Sequence, residues 1–152
     1  MLRILVAAII ALAAFAVPAP WEGRAAQAQP AVPNPAIRLI AIELYTAGGS
    51  EWLRHRFEVT NRASIPAELF AAAPNLPPCG TNTRSARTWV DFFDAQGKRL
   101  YGFCAIGSPG DLDKIWFAVA KGTRPPATIY IEMHDRQTGS KYRSNLASTA
   151  FY

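Results

Sequence analysis

"LRHRFEVTN" (residues 53–61) decides the fold class. Leu53, His55, Phe57 and Val59 alternate one for one with Arg54, Arg56, Glu58 and Thr60. In an extended chain a period of two sends the first set to one face and the second to the other. That is the pattern of a strand with one side buried and one side wet. Asn61-Arg62-Ala63-Ser64 ends it with turn-forming residues.

The same grammar continues in both directions. Upstream, "IRLIAIELYT" (37–46) sets Ile40, Ile42 and Leu44 against Ala41, Glu43 and Tyr45, and "AGGS" (47–50) is a flexible turn. Downstream, "IPAELF" (65–70) reads as a short strand that Pro66 restricts to a sheet edge. "AAAPNLPPCG" (71–80) has three prolines and reads as loop. "ARTWVDFF" (86–93) and "KRLYGFCAI" (98–106) read as a hairpin, with Asp94 opening the turn and Gly97 taking a positive φ. Both are apolar on two faces, which suggests strands inside a sheet. "SPGDLDK" (108–114) is one helical turn, with Ser108 as cap and Pro109 at the first position. "IWFAVA" (115–120) is a short buried strand. "ATIYIEMHD" (127–135) sets Ile129, Ile131 and Met133 against Tyr130, Glu132 and His134. "RQTG" (136–139) repeats the turn grammar, and "SKYRSNLAS" (140–148) returns.

Seven or eight strands at spacings near ten residues, with almost no helix, predict an all-β protein. The architecture expected is an antiparallel immunoglobulin/fibronectin-like β-sandwich. A small barrel is the alternative.

The N-terminus has another purpose. Arg3 precedes an uncharged apolar run, Ile4–Val17, which Pro18 and Pro20 break. Ala26-Gln27-Ala28 is a small-x-small site, and Ala14-Phe15-Ala16 is a second. This is the plan of a secretory signal peptide. The run is short for a bilayer core of about 30 Å, so no stable membrane span is expected after cleavage; an uncleaved anchor is the alternative. The expected organisation is a signal peptide (1–28), a flexible Pro-rich lead-in (29–36) and a β-sandwich domain (37–152), placed in the periplasm or outside the cell. Cleavage after Ala28 removes Arg3, Arg24 and Glu22 and takes the net charge from +5 to +4. The remaining charges alternate in sign, the pattern of a solvated surface and not of a nucleic-acid track.

Cys79 and Cys104 are the only two thiols. An oxidising compartment favours their pairing. Counted back from the turn at 94–97, Phe93 faces Lys98 or Arg99, and Thr88 faces roughly Cys104. Cys79 lies further along a loop that must fold back to reach it. A metal site would need ligands that two histidines without metal-binding spacing do not supply. A redox thiol would need a CxxC or a helix N-terminus. A structural bridge would staple the Pro-rich loop and present "GTNTRSAR" (80–87) as an ordered surface.

Candidate chemistry is sparse. His55 lies on the apolar phase and reads as a core-edge histidine with one hydrogen bond. His134 stands near Glu132 and Asp135, where acid–base work is imaginable, but no GxSxG-type nucleophile motif accompanies it. Glu43, Glu58, Glu68, Asp91 and Asp94 supply carboxylates without an assignable pair. Asp111 and Asp113 are too few for a calcium loop. Trp52, Trp89 and Trp116 suit either a sandwich core or a carbohydrate face, with Trp52 the most exposed of the three by position.

The segment "PPCG…ARTWVDFFD…GKRLYGFC…SPGDLDKIWFAV…IYIEMHDRQTGSKYRSN" resembles small exported proteobacterial proteins of immunoglobulin-like β-sandwich type. The resemblance covers roughly residues 37–148. It implies the fold, export and the Cys79–Cys104 pair, and it transfers no catalytic residue. The function expected is non-enzymatic binding of a protein or envelope component, without cofactor or metal. The expected contact surface is Asn82, Arg84 and Arg87 on the stapled loop, with Arg54 and Arg56 nearby. The alternative is a small carbohydrate-binding module or hydrolase, with Trp52 or His134 in a groove.

Overall fold

The computed structural model describes residues 31–73, 75–77 and 86–151. The signal-peptide segment, Cys79, Asn82 and Arg84 lie outside them. Among the described residues, eight strands form two antiparallel sheets. The first has β1 (Ile37–Ala47), β2 (Ser50–Val59) and β5 (Ile115–Ala120) in the order β1-β2-β5. The second has β3 (Thr88–Asp94), β4 (Arg99–Ile106), β6 (Thr128–Asp135) and β7 (Lys141–Arg143) in the order β4-β3-β6-β7. A short β8 (Ala147–Ser148) also pairs with β6.

The alternation in 53–61 has the consequence its period requires. His55, Phe57 and Val59 are buried, while Arg54, Arg56 and Glu58 are half-buried on the other face. Register places Phe57 beside Ile115 and His55 beside Phe117, so β5 extends the same apolar face. The second sheet answers with Val90 and Phe92 from β3 and Ile129, Ile131 and Met133 from β6. Phe57, Phe92 and Phe117 meet with ring centroids 5.7–6.0 Å apart, joining the two sheets in one core.

Turn chemistry sets the hairpins. Gly48 and Gly49 have φ of 58° and 76° in a two-residue turn, which primed hairpin turns demand. Ala47 consequently pairs with Ser50, and the ladder runs on to Ile37 opposite Val59. In the β3–β4 hairpin Asp94 Oδ1 accepts from the backbone N–H groups of Gln96 and Lys98.

Several expectations are corrected. Residues 67–70 form a 3₁₀ turn, not an edge strand. Pro66 starts it, and Leu69 and Phe70 reach the core from that turn. A bulge between Leu39 and Ala41 shifts the phase of β1. Ile37 and Leu39 therefore pack on the core, whereas Ile42 and Leu44 are exposed. β4 is an edge strand, and bulges in its ladder place Thr88 opposite Ile106 instead of Cys104. The capping oxygen at 107–113 is that of Asp111, which accepts from Gly107 N–H and the Ser108 hydroxyl. The returning strand is broken at Ser144-Asn145. The Ser144 hydroxyl accepts from Ile131 N–H, and Asn145 exchanges two hydrogen bonds with the backbone of Ile37. The lead-in is tied down at its end: Pro35 is buried, and the Asn61 side chain bonds the backbone of Asn34 and Ala36.

Candidate functional site

The outer face of the first sheet carries a cleft. Antiparallel pairing across the Gly48-Gly49 turn puts Tyr45 opposite Trp52. β5 then places Ala120 beside Trp52 and Ala118 beside Arg54, with Trp116 beside Arg56. Small side chains at Ala47, Gly48 and Ala118 leave space between the large rings. Tyr101 arrives from β4 of the other sheet and stacks on Trp116 at 4.8 Å with an interplanar angle of 27°. Tyr45 meets Trp116 edge-on at 6.3 Å, and Phe103 supports Trp116 from the side at 5.8 Å. The result is a depression of about 510 Å³ lined by Tyr45, Trp52, Tyr101 and Trp116, within the size range of ligand sites.

Arg54 flanks this cleft. Its guanidinium lies 4.3 Å from the Tyr45 ring centroid and 4.7 Å from that of Trp116. Two aromatic faces hold the cation through their negative π-clouds. Its Nε is buried and makes no hydrogen bond. Arg56, two residues on, is instead bonded to Glu43 at 2.9 Å.

A polar cluster occupies the outer face of the second sheet. His134 Nε2 lies 3.4 Å from Glu132 and 3.7 Å from Asp91. Arg99 bonds Asp91 at 2.7 Å, and Lys141 approaches Glu132 at 3.5 Å. The carboxylates are thus shared between His134 and basic side chains, in a network that braces β3, β4, β6 and β7. Among the described residues no cluster of His, Cys, Asp and Glu is arranged to hold a metal ion. His55 is the core-edge histidine its phase implies. Its Nδ1–H donates to Thr149 O at 3.0 Å, and its ring stacks on Phe117 at 5.0 Å. Burial pushes its pKa below the ordinary histidine value.

Of the five residues expected at a contact surface, Asn82 and Arg84 lie outside the described residues, and the other three stand at separate places. Arg54 flanks the cleft, and Arg56 is engaged with Glu43 on the same face. Arg87 forks onto Asp135, with Nε and Nη2 donating at 2.8 and 2.7 Å. That fork, with bonds from the Thr138 hydroxyl and Gln137 N–H, holds the Asp135 carboxyl well below the usual carboxylate range. Arg136 adds bonds to the carbonyls of Ala86 and Pro77 and lies over the Trp89 ring. Arg87 and Arg136 thereby anchor the two feet of the Pro-rich loop. Cys104 is half-buried on β4, and among the described residues no cysteine is free. Also among the described residues, no helix is long and apolar enough to cross a membrane.

Tyr45 and Tyr101 escaped sequence reasoning. Tyr45 was legible in principle: counting outward from Gly48-Gly49 pairs it with Trp52. Tyr101 was not, because its position depends on where two separate sheets meet. No family model, curated protein or solved structure matches the chain.

Proposed function

We propose that the protein is an exported, non-enzymatic β-sandwich that binds a glycan of the cell envelope in its aromatic cleft. The observation that carries this reading is the convergence of Tyr45, Trp52, Tyr101 and Trp116 around one open depression. The C–H face of a sugar ring is apolar and weakly positive, and it suits the negative face of an aromatic ring. Hydroxyls at the ring's edge remain free for the phenol and indole polar groups. The three carboxylates on β1 and β2 support binding without hydrolysis. Glu43, Glu51 and Glu58 are each engaged by a cation, Arg56, Lys121 and Arg38 respectively.

The fold belongs to the same proposal. The strand orders β1-β2-β5 and β4-β3-β6-β7 support an immunoglobulin/fibronectin-like sandwich. Export rests on the N-terminal pattern of Arg3, Ile4–Val17 and Ala26-Gln27-Ala28. The Cys79–Cys104 bridge accords with Cys104 not being free. Arg87 is committed to Asp135, so the contact surface is assigned to the cleft and not to the segment that precedes Arg87.

Intrinsic tryptophan fluorescence tests the function, because Trp52 and Trp116 both line the cleft. Titration of the mature protein with a panel of envelope oligosaccharides is expected to change the emission saturably. Trp52→Ala is expected to abolish that change at an unaltered melting temperature. A panel that leaves the wild-type emission unmoved refutes the reading.

A further inference from the structure

The cleft has a charge preference written into the sheet around it. β1, β2 and β5 carry six permanently charged side chains: Arg38, Glu43, Glu51, Arg54, Arg56 and Glu58. Arg38 pairs with Glu58, Arg56 with Glu43, and Glu51 with Lys121 just past β5. Among the described residues Arg54 alone of the six has no ion pair. It also makes no hydrogen bond to them, and its Nε is buried without a partner.

Stacking explains how Arg54 is held and what it still lacks. A guanidinium binds aromatic rings through its flat face and hydrogen-bonds through its edge. Tyr45 and Trp116 engage the cation at 4.3 and 4.7 Å, fixing it against the rings that line the cleft. Five N–H donors lie in the guanidinium plane; among the described residues no acceptor takes any of those of Arg54, and with Nε buried the four on its two terminal nitrogens remain for a ligand. A planar carboxylate is the group that matches such a fork with two parallel bonds. Neighbouring ion pairs cancel locally, so the residual charge beside the cleft is that of Arg54.

We propose that the cleft selects glycans carrying carboxylated, uronate-type sugars, with Arg54 binding the carboxylate and the aromatic rings taking the sugar faces. This rests on the reading of the cleft as a glycan site.

The test uses the mature protein and matched probes. Tri-uronates built from glucuronate, galacturonate, mannuronate and guluronate are titrated beside their methyl esters, which keep the sugar and remove the charge. Hexaglutamate serves as an acidic peptide without sugar. At least one acid is expected to bind about tenfold or more tightly than its ester, a difference of about 1.4 kcal/mol. Arg54→Gln is expected to bring the ratio of acid to ester affinity down to about one, whatever it does to the ester; Trp52→Ala is expected to remove binding of both. Arg54→Lys, which keeps charge and loses the fork, is expected to fall between. Acid and ester binding alike to the wild type overturns the uronate preference and leaves the glycan site standing. Binding of hexaglutamate alone, or of no probe, overturns the uronate proposal, and the envelope oligosaccharide panel then decides the glycan site.

Discussion

Trp116 and Tyr101 stack at 4.8 Å across the seam between β5 and β4, edge strands of different sheets. The wall of the cleft is therefore also a joint of the sandwich. Trp116 additionally carries Arg54 and is buttressed by Phe103. Trp116→Ala is expected to lower stability by about 2 kcal/mol, the scale of burying one large side chain, and to remove ligand binding as well. Trp52 contributes a ring to the cleft without joining the sheets, so Trp52→Ala should remove binding alone. Chemical denaturation beside fluorescence titration separates the two. Equal losses of stability in both variants would show that the seam does not depend on Trp116.

The Arg87–Asp135 fork is nearly closed to water, with side-chain exposures of 18% and 2%. Removing one partner of such a pair leaves the other charge uncompensated, at a cost of about 3 kcal/mol. Asp135→Asn is expected to destabilise the fold by about that amount. The folded-state pKa of Asp135 lies below its unfolded value. Its contribution is therefore fully present above roughly pH 4 and is lost as pH falls below the usual carboxylate range. Melting temperatures between pH 5 and pH 2 should drop steeply in the wild type and more gently in Asp135→Asn.

Legibility in the sequence followed the range of the interactions involved. β2, β5 and β6 were readable because alternation is a property of neighbours, and Ile129, Ile131 and Met133 are buried as their phase required. The β3–β4 turn was readable because Asp94 and Gly97 act locally. The turn at 67–70 was not, since Leu69 and Phe70 are apolar in either conformation and only packing selects the 3₁₀ form. The bulge at Leu39/Ala41 left no mark because the residues around it are all apolar. At the site, Arg54, Trp52 and Trp116 were already candidates. The commitment of Arg87 was hidden because its partner is 48 residues away, and Tyr101 was hidden because it belongs to the other sheet.

Cys104 lies on an edge strand, next to the strand whose N-terminal end receives the Pro-rich loop. A bridge from there to Cys79 constrains the unfolded chain more than it adds contacts to the folded one. Loop-closure entropy for that span is worth about 3.5 kcal/mol. Intact mass of the unreduced mature protein should fall about 2 Da short of the reduced mass, two hydrogens per bond. Cys104→Ser should lower the denaturation midpoint by an amount that reductant does not increase. A wild type indifferent to reductant would remove the bridge from the account.

His55 contributes a second pH dependence, of known sign. The imidazole is sealed between Phe117 and the core, and its Nδ1–H is engaged by Thr149 O. Desolvation disfavours the charged form and outweighs that hydrogen bond, so the folded-state pKa lies below the unfolded one. The folded protein then binds fewer protons than the unfolded chain just below about pH 6.5, the ordinary histidine value. Stability is complete above that pH and declines as pH falls toward the folded-state pKa. This window sits above that of Asp135, so the two separate in one titration. His55→Phe preserves the stack on Phe117 and removes the titrating group; it should flatten stability between pH 7 and pH 5 whatever its effect on the absolute value. Denaturation midpoints at half-unit pH intervals measure the slope. A slope that survives in His55→Phe would assign it to another group.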